Sequence, residues 1–239
     1  MTTLLLVRHG RSTSNAQGTL AGRSPGIELD DTGRSQAMSV GERIRGVQLD
    51  AVVRSPILRC QQTAELATQS SGLHTSIEVE HGITECDYGE WTGRQLSELA
   101  QEPLWTAIQQ NPSKVRFPGG EAMADMQRRC CEAVVEWNRR LGPDATWMLI
   151  SHADPIKAII SNALAQPFDA FQRLMIDPAS ISVLHFPSGD DGPGTPVLVS
   201  MNSTSGQVRS MTSMGQPRPQ PGGGSGGPPD DHRRLRASG

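Results

Sequence analysis

The sequence predicts a three-layer α/β domain in which helices flank a mostly parallel central sheet, and three observations predict it. Short runs such as residues 2–7 and 147–150 are apolar almost without interruption, as strands covered on both faces are. Other stretches repeat apolar residues every three or four positions, the pattern of a helix with one buried stripe. The polar residues suited to chemistry gather where the apolar runs stop, at the strand ends where open α/β sheets place their ligands.

Taken in order, a first strand is expected over residues 2–8, running into Arg8-His9-Gly10. Gly10 frees the backbone to turn and leaves room in front of His9. Ser12 and Asn15 follow within reach of the same place. Ala37, Val40, Ile44 and Val47 then predict an amphipathic helix after Asp31-Thr32. A second strand over 50–54 ends at Ser55-Pro56, where a helix begins with Ile57, Cys60, Ala64 and Ala67 on its buried side. Arg59 falls in the first turn, where unpaired backbone N–H groups favour anions.

A weaker strand is expected over 76–80, followed by the loop Glu85-Cys86-Asp87-Tyr88-Gly89-Glu90-Trp91-Thr92-Gly93. Residues 95–121, with Trp105 and Phe117, are expected to cover the pocket as a lid and to shape the leaving-group site. Met123, Met126, Cys130, Val134, Trp137 and Leu141 mark a long helix. A strand over 146–151 leads into Ser151-His152-Ala153-Asp154-Pro155, in which Asp154 reads as an N-cap and Pro155 as the first helical residue. Strands over 180–186 and 196–201 complete the domain, expected to span 1–202. Residues 203–239, rich in Gly, Pro, Ser and Arg, hold too little apolar surface to offset chain entropy and are expected to be a disordered tail.

The whole chain of 239 residues carries a net charge of −3, with 36% hydrophobic and 20% charged residues. Arg209, Arg218, Arg233, Arg234 and Arg236 against Asp230 and Asp231 give the tail +3, which leaves −6 on residues 1–202. An acidic body argues against a nucleic-acid enzyme. No apolar run is long enough to span a bilayer, and residues 1–7 lack the basic leader of a cleaved signal. Cys60, Cys86, Cys130 and Cys131 have no paired metal-ligand spacing and read as reduced thiols of a cytoplasmic protein.

Two arginines, two histidines and an asparagine at strand ends suit phosphoryl transfer. The migrating group spreads charge over its equatorial oxygens and needs several donors around one centre, a nucleophile, and a proton donor in line. Arg8 and Arg59 offer planar guanidinium forks that stay charged at any working pH. A neutral imidazole at His9 can attack phosphorus without a metal. Glu85, or alternatively Asp87, can protonate the leaving oxygen if its pKa is raised. A metal hydrolase built on His9, His152, Glu85 and Asp87 is a second reading, and a phosphate-binding module without catalysis a third.

The four ordered segments, from about Leu4 to about Asn202, resemble the histidine phosphatase superfamily, or phosphoglycerate mutase-like fold. The resemblance implies that His9 is the phosphorylated nucleophile. It implies that Arg8, Asn15, Arg59, His152 and Ala153 surround the phosphate and that Glu85 is the acid. No cofactor is implied; the expected partner is a small phosphorylated metabolite, with no nucleic acid or membrane, and a homodimer is left open. Two places depart from the family pattern: Arg11, and the pair after His152, where Ala153 stands for the usual glycine and Asp154 adds a carboxylate, both bearing on substrate choice. Only sixty-six residues separate Glu85 from His152, and Ala21 precedes Gly22 where mutases carry a threonine. Both features favour a phosphatase hydrolysing a phosphomonoester over a phosphomutase.

Overall fold

A computed structural model describes residues 1–189 and 192–212. In chain order the elements are β1 (Thr2–Arg8), α1 (Thr13–Ala16), α2 (Asp31–Arg43), β2 (Ala51–Arg54), α3 (Leu58–Ser71) and β3 (Ile77–Val79). There follow α4 (Leu96–Leu99), α5 (Pro103–Gln110), α6 (Met123–Leu141), β4 (Thr146–Ser151) and α7 (Ala153–Ala163). The chain continues with β5 (Ile181–Phe186), a small pair β6 (Ser188–Gly189) and β7 (Gly192–Pro193), β8 (Val197–Ser203) and α8 (Arg209–Thr212).

Six strands form one sheet in the order β3-β2-β4-β1-β5-β8. The ladders from β3 to β1 are parallel; β5 is antiparallel to both β1 and β8 and runs against the other five. Successive side chains of a strand point to opposite faces, and both faces are apolar here. Leu4 and Leu6, with Trp147 and Leu149, pack under α6, α7 and the α4–α5 region. Leu5 and Val7, with Met148 and Ile150, pack under α2 and α3. This double burial is why the strands read as unbroken apolar runs. The mostly parallel, helix-flanked sheet of the sequence reading is the sheet observed.

Four details correct the sequence reading. His152, with extended backbone (φ −116, ψ 172), precedes α7, which starts at Ala153; Asp154 is the second helical residue and Pro155 the third. The chain turns into the helix directly from the buried strand, so Asp154 cannot be the cap. Val47 is buried but lies beyond α2, which stops at Arg43.

Gly10 is required by close packing rather than by room for a ligand. A Cβ there would lie 2.4 Å from the Gly33 carbonyl oxygen in the first turn of α2. Finally, the packed body continues beyond residue 202. Arg43 donates to the carbonyls of Ser203, Ser205 and Gly206 and to the Ser203 hydroxyl, and Val208 is fully buried in the core. Of the tail expected over 203–239, residues 213–239 lie outside the described residues. Among the described residues no helix is long and apolar enough to cross a membrane.

Candidate active site

Neighbouring strands β2, β4 and β1 end side by side, and their register decides what meets there. Arg8 pairs with Ser151 and Arg54 with Ile150, so Arg8-His9, Ser55 and His152 emerge at one edge of the sheet. The His9 amide donates to the Ser151 carbonyl at 3.0 Å and the Ser55 amide to the Ile150 carbonyl at 3.0 Å, extending both ladders by one residue. Arg59 enters from the first turn of α3. A cavity of about 250 Å³ opens above them, lined by Arg8, His9, Asn15, Arg59, Glu85 and Ala153 among others.

His9 is 2% exposed. Its Nδ1 lies 2.7 Å from the Gly10 carbonyl oxygen, which accepts only from a protonated nitrogen, so Nδ1 carries the hydrogen. Nε2 is then the lone-pair nitrogen, and Arg59 Nε donates to it at 3.1 Å. Burial, then the Arg59 and Arg8 charges, hold the His9 pKa well below its ordinary value and keep the ring neutral.

His152 is fixed in the same way. Arg59 Nη2 donates to its Nδ1 at 3.0 Å, so Nε2 bears the hydrogen and donates to Ser55 Oγ at 2.9 Å. Its pKa is also lowered, by burial and then by Arg59 and His9. The two rings stand edge to face with centroids 5.2 Å apart.

Arg59 is 1% exposed, and its Nη2 also donates to the Gly22 carbonyl at 2.9 Å. Arg8 Nη1 donates to the Ile176 carbonyl at 2.6 Å. Arg59 Nη1 and Arg8 Nε are buried with no hydrogen-bond partner among the described residues. Buried guanidinium donors left unmatched are costly unless an anion meets them, which makes this end of the cavity an anion site. The first N–H groups of α7, from Ala153 onward, add a helix N-terminus to it.

Glu85 belongs to the same pocket. Its Oε1 accepts from the Cys86 amide at 2.9 Å, and its Oε2 lies 3.9 Å from Arg59 Nη2 and 3.8 Å from His152 Nδ1. Because His152 is held neutral, that last contact is not an ion pair. Burial, then the Asp154 carboxylate, push Glu85 up to about 7, against the opposing pull of Arg59. Asp87, the alternative acid, does not line the cavity; its side chain is 42% exposed and lies 3.7 Å from Arg23. With Asp87 turned away, the cluster that the metal-hydrolase reading required is not assembled, and among the described residues no group of three or more His, Cys, Asp or Glu is placed to hold a metal ion.

Asn15 lines the cavity, but its Oδ1 accepts from the Ser12 amide at 3.1 Å in a capping box at α1. Only its Nδ2 end is left to offer an anion. Arg11 points elsewhere, to Asp30 at 2.7 Å and Thr32 at 2.8 Å, and does not line the cavity. Asp154 does line it and accepts from the Tyr88 hydroxyl at 2.8 Å.

Several residues that build the site went unassigned in the sequence. Ser55 accepts the His152 Nε2–H, and the Thr63 hydroxyl accepts from the Gly10 amide at 3.1 Å. Arg23 and Arg129 both donate to the Glu85 carbonyl and both pair with Glu121, which also accepts from the Asp87 amide. This brace holds the Glu85 backbone from outside the cavity. Ser55 was visible as the polar residue ending β2; nothing in a linear reading links Glu121 to Arg23, which lies 98 positions away.

The sequence profile of the histidine phosphatase superfamily, branch 1, matches residues 4–203. The chain belongs to that superfamily. Among its relatives by sequence is the protein named "Probable phosphoglycerate mutase GpmB" of Salmonella choleraesuis, 31% identical over 188 residues, 78% of this chain and 86% of the relative. The protein of the same name from Erwinia tasmaniensis is 30% identical over 184 residues, covering 76% and 84%. Among solved structures, YhfR of Bacillus stearothermophilus superposes with a TM-score of 0.77 at 25% identity, covering 86% of this chain and 98% of that one. A phosphoserine phosphatase of Entamoeba histolytica in complex with phosphoserine gives 0.74 at 25%, covering 85% and 98%. The mycobacterial glucosyl-3-phosphoglycerate phosphatase, at 23% identity and a TM-score of 0.75 over 84% and 99%, shows the shared fold. Histidine phosphatases thus include both phosphatase and mutase relatives of this chain.

Proposed function

We propose that this protein is a metal-independent phosphatase that hydrolyses a small phosphomonoester through a phosphohistidine on His9. One observation carries the reading: a neutral imidazole with its lone pair on Nε2 shares a cavity with two buried guanidiniums holding unmatched donors and with a carboxyl raised to about 7. In the first step His9 Nε2 forms a bond to phosphorus as the ester oxygen leaves and takes the Glu85 proton. The phosphoryl oxygens are held by Arg8, Arg59, Asn15 Nδ2 and the Ala153 N–H; His152, whose Nε2–H goes to Ser55, steadies Arg59 through Nδ1, and the Gly10 carbonyl supports the positive His9 ring through Nδ1–H. In the second step Glu85, now a carboxylate, takes a proton from water, whose oxygen displaces His9 from phosphorus and regenerates the starting state.

Hydrolysis is preferred to intramolecular transfer because the segment between Glu85 and His152 is short, and because Ala21, not a threonine, lines the cavity before Gly22. The reduced thiols and acidic body favour a cytoplasmic site of action on a phosphorylated metabolite, with no nucleic acid or membrane partner. The test compares wild type and His9→Ala on an aryl phosphate in the presence of a chelator. Wild type is expected to release phosphate at full rate and to trap a base-stable, acid-labile phosphoryl group; the variant is expected to do neither. Equal hydrolysis by the two proteins, or loss of wild-type activity to the chelator, defeats the reading. With 3-phosphoglycerate as a second substrate, isomerised ester in place of free phosphate restores the mutase.

A further inference from the structure

Beyond Arg8 and Arg59, the cavity wall changes character. Leu20, Trp91, Trp105, Ile108 and Phe117 line it, drawn from the loop after α1 and from the segment around α4 and α5. Trp91 stacks on Trp105 with centroids 6.3 Å apart and planes at 22°, and it meets Phe117 edge-on at 5.6 Å. Trp91 and Phe117 are buried and Trp105 is partly open, so an aromatic face fixed from behind is presented to the cavity.

The charges are as one-sided as the apolar surface. Among the described residues lining the cavity, the cations are Arg8 and Arg59, both at the phosphate end, and the remaining charged groups are Glu85 and Asp154. Lys157, which does not line the cavity, is engaged by Asp154 at 3.7 Å and Gln172 at 3.0 Å and lies over the Phe171 ring. Arg23 is held by Glu121 and the Glu85 carbonyl and does not line the cavity. A substrate with a second anion, such as a phosphorylated hydroxy acid, would bring its carboxylate to a wall of Asp154, aromatic carbon and the neutral Thr19, Gln109 and Gln172, with no further cation among the described lining residues to receive it.

We infer that this subsite takes an uncharged, apolar, ring-bearing leaving group and rejects a second anionic group. The inference rests on the phosphatase reading for its phosphate end. It assigns a substrate class that the superfamily by itself does not, since both carboxylate-bearing and neutral esters fit the shared phosphate cradle.

The test uses esters of primary alcohols, so that leaving-group reactivity is matched. Initial rates on 2-phenylethyl phosphate and 3-phosphoglycerate give the ratio of their kcat/KM values, expected to be at least about tenfold in favour of the phenyl ester. Trp105→Ala is expected to bring that ratio near one. Gln109→Arg, which adds a cation at an exposed lining position, is expected to lower it by raising turnover of 3-phosphoglycerate. A wild-type ratio at or below one, or a ratio unmoved in Trp105→Ala, overturns the inference while leaving hydrolysis intact. If no ester releases phosphate, the hydrolase reading falls, and calorimetry decides the subsite separately. Tighter binding of 2-phenylethylphosphonate than of 3-phosphonopropionate then upholds the apolar subsite, and equal or weaker binding overturns it.

Discussion

Glu85 sits between opposed influences: burial and Asp154 raise its carboxyl, while Arg59, the Cys86 amide and Arg8 favour the anion. In the proposed mechanism, a value of about 7 suits a group that must give a proton to the leaving oxygen and later accept one from water. Glu85→Gln is therefore expected to lower kcat by about 10²- to 10⁴-fold. The decline in activity above about pH 7 should disappear, while vanadate affinity changes little because the guanidiniums stay in place. Steady-state rates across pH 5–9 with vanadate titration check this; a variant that keeps its basic limb removes Glu85 from the role. At this scale the sequence exposed the residue types but not their states. Arg-His-Gly and Ser-His announced His9 and His152, yet the tautomers depend on the Gly10 carbonyl, Ser55 and Arg59, partners up to 97 residues away.

Elements meet here at positions where only glycine fits. A Cβ on Gly33 would stand 1.9 Å from the Arg11 carbonyl oxygen, and one on Gly10 2.4 Å from the Gly33 carbonyl oxygen, so the loop after β1 and the first turn of α2 touch backbone to backbone. Gly10→Ala is expected to cost about 1–3 kcal/mol in stability, the usual penalty for overpacking, and to displace His9 with it. Denaturant midpoints and phosphatase rates measured together check this; an unchanged midpoint would show that the contact yields freely. The elements themselves were legible because periodicity reports burial, and β1, β2, β4 and β5 are buried along most of their length. The start of α7 was misread because Asp154-Pro155 matches a capping signature, while Asp154 spends its carboxylate on Tyr88 and Lys157. The extent of the body was misread because the Ser-Gly composition after residue 202 hides Val208, and Arg43 draws that segment in from a distant helix.

Across the whole molecule, a fold that buries ionisable groups uncharged makes stability depend on pH. His9 and His152 have depressed folded pKa values, so the stability they leave intact above about 6.5 is lost as pH falls and the unfolded chain takes up protons. Glu85 acts in the opposite sense. Its folded pKa is raised from 4.5 to about 7, so its contribution is full below 4.5 and is lost as pH rises through 7. The Tm of Glu85→Gln minus that of wild type is accordingly expected to climb between pH 4.5 and 8, and calorimetric scans across that range check it; a flat difference would mean that the carboxyl is not proton-bound in the fold. The sequence by itself determined the alternation of strands and helices, the two-sided burial of the sheet and which residue types stand at the strand ends, because apolar periodicity and chain-local motifs are written along the chain. The tertiary structure decided that β4 inserts between β2 and β1, that Glu85 rather than Asp87 turns inward, and that the aromatic wall shares one cavity with Arg8 and Arg59. Those outcomes depend on register and packing between segments tens of residues apart, which no local pattern encodes.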